Sequence, residues 1–334
     1  MADHDDDAPT LVDPARLAPW LDAAGVAPGG DLAVEPLPGG ASNAMFLVHR
    51  GGRTLVLRRP AQVAVDRADE GMRREFRFLS ALAGTDVPHP AAVALCDDRE
   101  VLGCVFYLME RVDGFNPMPA SLPPAFDHPG GRRAITEAMV DALAAVHEVD
   151  WRAAGLGDLD RTTGFHERQV SRWVGQLESY EGRDLPGTDE IGRWLDAHRP
   201  TAFEPTIMHG DFHMMNVLVA PEPPARVAAV LDWETSTIGD PLLDLAGFCE
   251  IWTPMTDPAD GWPSQAEIVD RYATRRGIEV PPLDYYEVLY NFRMAVLLEG
   301  IYQRSLKDPT RPVMDAVGEQ ALRFLRRATE LVAD

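Results

Sequence analysis

The hydrophobic pattern of the chain changes its period near residue 110, and this change limits the folds that are available. Before that point the alternation in AMFLVH and the run TLVLR predict strands, and the Gly51-Gly52 pair between them predicts a tight hairpin. From Arg132 onwards apolar residues recur at helical spacing, beginning with AITEAMVDALAAVHEVD. We therefore predict an α+β fold with a β-rich N-terminal part and a mostly helical C-terminal part.

The boundary between the two parts is predicted from the buried strand in VLGCVFYLMERVDG, which breaks at Asp113-Gly114. This pattern gives an N-terminal lobe at residues 1–109, a hinge at 110–114 and a helical lobe at 115–334. The Pro-rich stretch FNPMPASLPPAFDHPGG is the best linker candidate in the chain. Within the helical part, strands are expected only at IMHGD, NVLVA and RVAAVLDW.

Charge and cysteine content argue against several classes of partner. The chain of 334 residues has 31 Lys and Arg against 53 Asp and Glu, and the net charge of −22 disfavours nucleic acid and anionic membranes. Three cysteines without a C-x-x-C pair predict a reducing compartment. The acidic N-terminus is unlike a signal peptide, and no apolar run approaches the ~18 residues of a membrane span. We expect a cytoplasmic protein. The sequence does not indicate whether it is a monomer or an oligomer.

Reactive side chains are concentrated in the stretch IMHGDFHMMNVLV. Asp211 and Asn216 have the five-residue spacing of a phosphotransferase loop, in which a carboxylate accepts or orients the acceptor hydroxyl and an amide holds a metal. Alternatively, His209, Asp211 and His213 lie at alternate positions, which a regular strand would place on one face as a zinc site requires. The lack of a second histidine cluster counts against zinc.

A second acidic position favours the phosphotransferase interpretation. Sixteen residues after Asn216, the segment AAVLDWETSTIGDPLLDLA places Asp232 directly after an apolar strand. A carboxylate at the end of a strand can bind Mg²⁺ that bridges nucleotide phosphates. Asp240 and Asp244 in the same segment are interpreted as residues that cap a helix and anchor the loop.

With LDWE and GDPLLDLA following it, HGDFHMMN resembles the aminoglycoside phosphotransferase and choline kinase group, which has a protein-kinase-like, two-lobed fold. Within that group the chain most resembles the phosphotransferase domains of acyl-CoA dehydrogenase family members 10 and 11. The resemblance runs from about Val34 to Arg304, through LPGGASN, LVLRRP, REFRFL, LGCVFYLMERVDG and NFRMAVLLEGIYQR. It implies ATP and Mg²⁺ as cofactors, a small-molecule hydroxyl as acceptor, Asp211 as catalytic base, and Asn216 and Asp232 as Mg²⁺ ligands.

The resemblance also implies nucleotide-binding positions in the N-terminal part. Gly40, Ser42 and Asn43 belong to a glycine turn, in which backbone N–H groups can approach phosphates. The backbone at Glu110 and Val112 is expected to hydrogen-bond the adenine edge. Side-chain identity at these two hinge positions therefore carries little information.

Arg58 departs from the usual kinase pattern, in which this strand ends in a lysine that pairs with the phosphates and with a helix glutamate. Lys307 is the only lysine of the chain, so work usually given to lysine must be done by arginine. Glu75 in RREF is the expected partner of Arg58. Arginine can hold phosphate through two hydrogen bonds and is always charged, so the substitution does not by itself indicate an inactive enzyme.

Arg293 is the expected contact for the phosphate acceptor, because NFRMAVLLEG is otherwise apolar and a buried arginine requires an anionic partner. The acceptor hypothesised on this basis is a hydroxylated small acid or an acyl conjugate. A competing function is a non-catalytic, nucleotide-binding regulatory module on the same fold, which Arg58 and the unusual glycine turn would suit. The sequence leaves the acceptor, the choice of ATP or GTP, and the roles of His209 and His213 open.

Overall fold

A computed structural model describes residues 11–38, 43–61, 66–180, 182–183, 185–307 and 313–333. The chain divides into two compact units, which are described separately. Unit 1 contains Met1–Asp113 together with Leu231–Glu234, and unit 2 contains Gly114–Val230 and Thr235–Asp334. Unit 1 therefore includes a short segment that lies far along the chain. The hinge at residues 110–114 stays a prediction.

Unit 1 is built on a five-stranded antiparallel sheet in the order β1-β2-β3-β5-β4. Its strands are β1 Leu32–Leu37, β2 Asn43–Arg50, β3 Arg53–Pro60, β4 Ala92–Cys96 and β5 Phe106–Glu110, and its helices are α1 Pro14–Ala23, α2 Asp66–Ala81 and α3 Arg99–Leu102. The predicted hairpin joins β2 to β3. Gly51 and Gly52 both have positive φ, 55° and 79°, as the tight two-residue turn requires.

The core of unit 1 lies between one face of this sheet and the N-terminal helix. Leu17 and Leu21 on α1 are fully buried in one apolar cluster with Val48, Leu57 and Phe106 from three strands. The spacing of four residues between Leu17 and Leu21 places both on the same helical face. Helix α1 is therefore an integral part of the unit.

Unit 2 is mostly helical and contains two small two-stranded sheets, β6 with β9 and β7 with β8. Its helices are α4 Pro129–Glu148, α5 Glu167–Glu178, α6 Thr188–Ala197, α7 Leu242–Trp252, α8 Gln265–Arg276, α9 Asp284–Lys307 and α10 Asp315–Ala333, and its strands are β6 Thr206–Met208, β7 Val217–Val219, β8 Val227–Val230 and β9 Thr237–Gly239. The predicted α+β fold is confirmed. No helix among the described residues has the length and apolar character needed to cross a membrane.

Strand β9 was not expected from the sequence, which indicated only a turn leading into a helix after Asp232. Its three residues pair antiparallel with β6, with Ile207 opposite Ile238. The surrounding segment TSTIGDP is rich in Ser, Thr, Gly, Asp and Pro, which are typical of loops and turns and conceal the strand. The pairing matters for function because it holds the end of β6, where the reactive loop begins.

Candidate active site

The reactive loop of unit 2 leaves β6 in a sharp turn at Gly210, which has a φ of +83°. A Cβ atom at this position would lie 2.8 Å from the carbonyl oxygen of Thr235, so only glycine fits without a rearrangement. The loop ends in a single 3₁₀ turn, Met214–Asn216, directly before β7. We call the segment from His209 to Asn216 the catalytic loop.

The turn at Gly210 removes the regular strand on which the zinc interpretation depended. His209, Asp211 and His213 do not continue β6, and their side chains take up different contacts. Within the part of the chain that the structure describes, no three His, Cys, Asp or Glu side chains are grouped as a metal site. The alternate positions of these three residues in the sequence therefore do not place them on one face of a strand.

The structure brings Asp211 and Asn216 together on this loop. The Nδ2 atom of Asn216 donates to Oδ2 of Asp211 at 3.1 Å and to its carbonyl oxygen at 2.9 Å. The other carboxylate oxygen, Oδ1, lies 3.4 Å from Nε2 of His213. The Asp211 side chain keeps 36% of its surface exposed. A carboxylate held by neighbours yet open to solvent is available to a substrate hydroxyl.

The charge state of Asp211 follows from competing influences. Burial of the carboxylate opposes ionisation, but the hydrogen bond from His213 and the positive charge of Arg293 outweigh it. The pKa of Asp211 therefore lies below its ordinary value. The group is ionised at neutral pH, so both of its oxygens can accept hydrogen bonds.

Asp244, near the start of α7, anchors the beginning of the loop. It accepts the backbone N–H groups of His209 at 2.6 Å and Gly210 at 2.9 Å. Nε2 of His147 lies 3.3 Å from the same carboxylate, and Tyr272 contacts the other ring nitrogen. Burial opposes ionisation of Asp244, but the interactions with His147 and with the loop hold its pKa below the ordinary value.

Asp240 hydrogen-bonds to the start of α7 as expected of a capping residue, although the N-cap position itself is occupied by Pro241. Its Oδ1 accepts the N–H of Leu242, the first residue of α7, at 3.1 Å. Its Oδ2 lies 2.9 Å from Nε2 of His166 and accepts the Tyr286 hydroxyl at 2.9 Å. The two aspartates of GDPLLDLA thus have different roles. Asp240 accepts a hydrogen bond at the start of the helix, and Asp244 anchors the loop.

Arg293 on α9 contacts the catalytic loop. Its Nη2 atom donates to the carbonyl oxygen of Gly210 at 2.9 Å, and its guanidinium lies 5.7 Å from the centre of the Trp173 ring. Its Nε is buried and has no hydrogen-bond partner among the residues that the structure describes. The sequence led us to expect an anionic partner, whereas the hydrogen bond observed is to a backbone carbonyl. Helical spacing alone could not identify that acceptor.

Asn116 was not identified from the sequence as a functional residue. Its Nδ2 atom donates to the carbonyl oxygens of Met215 and Val217, both at 2.9 Å, and lies 3.4 Å from that of Met214. The adjacent Phe115 forms a two-way backbone bridge with Val219. The Pro-rich segment assigned as a linker is therefore attached to the end of the catalytic loop.

A second polar cluster lies in unit 1 around Arg58 on β3. Its Nε forms an ion pair with Oε2 of Glu75 at 3.0 Å, so the expected partners are in contact. Its Nη2 donates to Oδ1 of Asp232 at 2.6 Å and lies 3.3 Å from Oε2 of Glu234. Glu234 in turn accepts from Asn43 at 2.9 Å. In the sequence, Glu234 was marked only as the glutamate of the LDWE motif, with no role assigned to it.

Three carboxylates around one guanidinium give the unit 1 cluster a surplus of negative charge. Burial, reinforced by Asp232 and Glu234, raises the pKa of Glu75 to about 7, although Arg58 opposes the shift. Burial would lower the pKa of Arg58, but the surrounding carboxylates raise it above its ordinary value. Asp232 itself has a φ of +63°, a left-handed conformation that aspartate tolerates better than most residues.

The remaining predicted nucleotide positions are only partly described. Gly40 and Ser42 lie outside the described residues, and Asn43 is the first residue of β2. The N–H of Glu110 donates to the carbonyl oxygen of Ala91 at 2.9 Å. An adenine contact from Glu110 would therefore use its carbonyl group. Val112 follows β5, is partly buried and has no regular secondary structure.

Known proteins similar to this chain identify its family. The Phosphotransferase enzyme family matches residues 33–287. Acyl-CoA dehydrogenase family member 10 of Mus musculus is 34% identical over 310 residues, a match that covers 88% of this chain and 28% of that protein. The chain therefore spans less than a third of the length of that relative. The predicted resemblance to family members 10 and 11 is confirmed.

Solved structures share the fold. A Ralstonia eutropha JMP134 protein provisionally named an aminoglycoside phosphotransferase has a TM-score of 0.85 and 33% identity, covering 96% of this chain and 98% of that one. An aminoglycoside phosphotransferase APH(4)-Ia mutant, solved with ADP and hygromycin B, has a TM-score of 0.62 at 17% identity, with 94% and 96% covered. The predicted kinase-like fold is confirmed. The chain belongs to the Phosphotransferase enzyme family.

Proposed function

We propose that this chain is an ATP-dependent, Mg²⁺-requiring O-phosphotransferase that acts on a hydroxyl group of a small molecule. The observation that carries the proposal is the pairing of Asp211 with Asn216 on a loop held by the buried Asp244. Family membership and neighbours such as the ADP and hygromycin B complex support it. A cytoplasmic location, where ATP is available, is part of the same proposal.

Asp211 acts as the base in this proposal. Its lowered pKa makes it a weak base, so its main task is to orient the acceptor hydroxyl. The hydroxyl proton passes to the carboxylate as the hydroxyl oxygen bonds to the γ-phosphorus of ATP, the bond from that phosphorus to the β-phosphate oxygen breaks, and ADP leaves. Catalysis of phosphoryl transfer depends chiefly on positioning and electrostatics, so a weak base is sufficient.

Asn216 and Asp232 are the proposed Mg²⁺ ligands. Both offer oxygen atoms, which Mg²⁺ prefers, and the Nδ2 of Asn216 faces Asp211, so its amide oxygen points elsewhere. The surplus negative charge around Arg58 is also suited to a divalent cation. When bound, Mg²⁺ would neutralise charge on the transferred phosphate.

The nucleotide is proposed to bind through residues of unit 1 named above. Backbone groups of Gly40, Ser42 and Asn43 would approach the phosphates, and those of Glu110 and Val112 would meet the adenine. The Arg58 guanidinium, oriented by Glu75, would bind the phosphates.

Arg293 is proposed to contribute to the acceptor site. It lies against the catalytic loop at Gly210 and is only partly buried, so its guanidinium can meet a bound anion. A small acid or acyl conjugate with a hydroxyl group would supply an acceptor atom for it. Full turnover by Arg293→Ala on an identified substrate would rule this role out.

The decisive experiment is a phosphate-transfer screen of hydroxylated metabolites and aminoglycosides with Mg²⁺·ATP. On any acceptor found, Asp211→Ala should abolish turnover, with a loss of at least about 10³-fold, while nucleotide affinity stays largely intact. The screen and the variant are read by phosphorylated product and by equilibrium nucleotide binding. Undiminished turnover by Asp211→Ala would contradict the mechanism.

One observation favours the competing regulatory module. Arg58 is already engaged by Asp232 at 2.6 Å, an ion pair that bound phosphates and Mg²⁺ would have to rearrange. A regulatory module could bind nucleotide without completing that rearrangement. Tight Mg²⁺·ATP binding with no transfer to any hydroxyl compound in the screen would identify this function.

A further inference from the structure

The two ring nitrogens of His213 have different neighbours. Nδ1 accepts the backbone N–H of Met215 at 3.2 Å, which makes His213 the cap of the 3₁₀ turn Met214–Asn216. Nε2 lies 3.4 Å from Oδ1 of Asp211. Only 10% of the side-chain surface is exposed. The ring is therefore fixed between the loop backbone and the proposed base.

These contacts determine which nitrogen carries the hydrogen. A backbone N–H can only donate, so Nδ1 must present its lone pair, and a neutral imidazole then bears its hydrogen on Nε2. Oδ1 of Asp211 lies 3.4 Å from that nitrogen. The Nδ2 of Asn216 also lies 3.4 Å from Nε2, but two donors cannot bond to each other, and Nδ2 has Asp211 as its acceptor.

We propose that His213 is a positioning residue that fixes the carboxylate of Asp211 by donating from Nε2 to Oδ1. Asn216 holds the other oxygen, Oδ2, so that both oxygens are oriented by side chains of the same short loop. Met215 sets the tautomer through its backbone N–H. The effect of this arrangement on turnover rests on the proposed function. The tautomer of His213 does not depend on that function.

No other side chain discussed above performs this task. The Arg293 hydrogen bond is to the Gly210 carbonyl. Nδ1 of His209 accepts the backbone N–H of Asp211 at 3.3 Å and so contacts the main chain of that residue. Without His213, the carboxylate would be held at Oδ2 alone and could rotate away from a substrate hydroxyl.

The tautomer can be measured without any substrate. The full chain labelled with ¹⁵N-histidine is studied by NMR at neutral pH, and the His213 signals are identified by their loss in His213→Gln. We expect hydrogen on Nε2, none on Nδ1, and a shift of the Nε2–H signal in Asp211→Ala. Hydrogen on Nδ1, or on both nitrogens, would overturn the proposal.

Two amide variants separate the two ring contacts. Asparagine places its amide near the position of Nδ1 and can still cap Met215, whereas glutamine reaches the position of Nε2 and can still donate to Asp211. On an acceptor from the screen, we expect kcat to fall on the order of 10²-fold in His213→Asn and by only about threefold in His213→Gln. The KM for Mg²⁺·ATP should change less than about twofold in either variant.

The thermal stability of the same two variants should follow the opposite order to their activity. His213→Gln loses the cap and should unfold at a lower temperature than His213→Asn, although it is the more active of the two. Equal losses of kcat, or an activity order that follows stability, would overturn the proposal. If no acceptor is phosphorylated by the wild-type chain, the proposed function fails, and the tautomer alone decides the role of His213.

Discussion

At the scale of single residues, Glu75 has an unusual environment, because its carboxylate is 1% exposed and shares Arg58 with two other carboxylates. Burial disfavours the charged form of this carboxylate, so it retains its proton more readily than an ordinary glutamate. Its pKa of about 7 in the folded protein compares with an ordinary value of 4.5. The folded state therefore binds the proton more tightly than the unfolded state between these two values.

The stability contribution of Glu75 should consequently depend on pH. It is fully present below about pH 4.5, declines as the pH rises to about 7, and is constant above that value. Glu75→Gln cannot titrate, so the free energy of unfolding of the wild type relative to this variant should fall across that window. Urea denaturation between about pH 4 and 8 measures it. Glu70→Gln, an exposed site on the same helix, is the control, and a difference that grows with pH would contradict the expectation.

Arg58→Lys tests whether the guanidinium has a specific role. Arg58 contacts Glu75 through Nε and Asp232 through Nη2, a span that a single ammonium group cannot reproduce. Losing one charge-assisted hydrogen bond should raise the KM for Mg²⁺·ATP about tenfold or more. Steady-state kinetics on an identified acceptor would measure it, with Arg73→Lys on α2 as control. An unchanged KM would show that charge alone is enough.

At the scale of elements, the attachment of the catalytic loop to α7 through Asp244 is the contact most open to test. Asp244→Asn keeps the shape of the side chain but replaces one carboxylate oxygen with an NH₂ group. A loop N–H group or His147, which now has that oxygen as its acceptor, then faces a donor. One buried donor is left unsatisfied, so the free energy of unfolding should fall by about 1–3 kcal/mol. The value of kcat should fall as well, because the turn at Gly210 is no longer held.

Chemical denaturation and turnover of Asp244→Asn measure these two effects. Asp270→Asn, at an exposed position on α8, is the control for the same chemical change. Because the pKa of Asp244 is lowered, its stabilisation is present above the ordinary aspartate pKa and is lost as the pH falls. A variant with wild-type stability at neutral pH would show that the anchor is dispensable.

At the scale of the whole molecule, the net charge of −22 should affect stability more than any single ion pair. Repulsion among carboxylates destabilises a compact chain, and salt screens it. Raising NaCl from about 10 to about 150 mM should increase the midpoint of thermal unfolding by about 2–4 °C at pH 8. Near pH 5, close to the sequence pI of 4.7, the increase should vanish. An equal increase at both pH values would point to another cause.

The motif of the catalytic loop was predictable because its parts are close in sequence. Asp211 and Asn216 are five residues apart, and that spacing alone allows both side chains to meet on one turn. The Arg58–Glu75 pair was predictable from the resemblance to kinases. Asn116, by contrast, contacts a residue 99 positions away and has no period or spacing that marks it.

The sequence by itself determined the change from β-rich to mostly helical structure, the hairpin at Gly51-Gly52 and the family, because periodicity and local motifs are properties of neighbouring residues. Only the tertiary structure decided which distant groups act together. Asp232 meets Arg58 across 174 positions, and Asp244 holds Gly210 across 34. Such pairings depend on how the chain folds back on itself. Burial in the folded protein then shifts pKa values, and the sequence alone does not show which groups are buried.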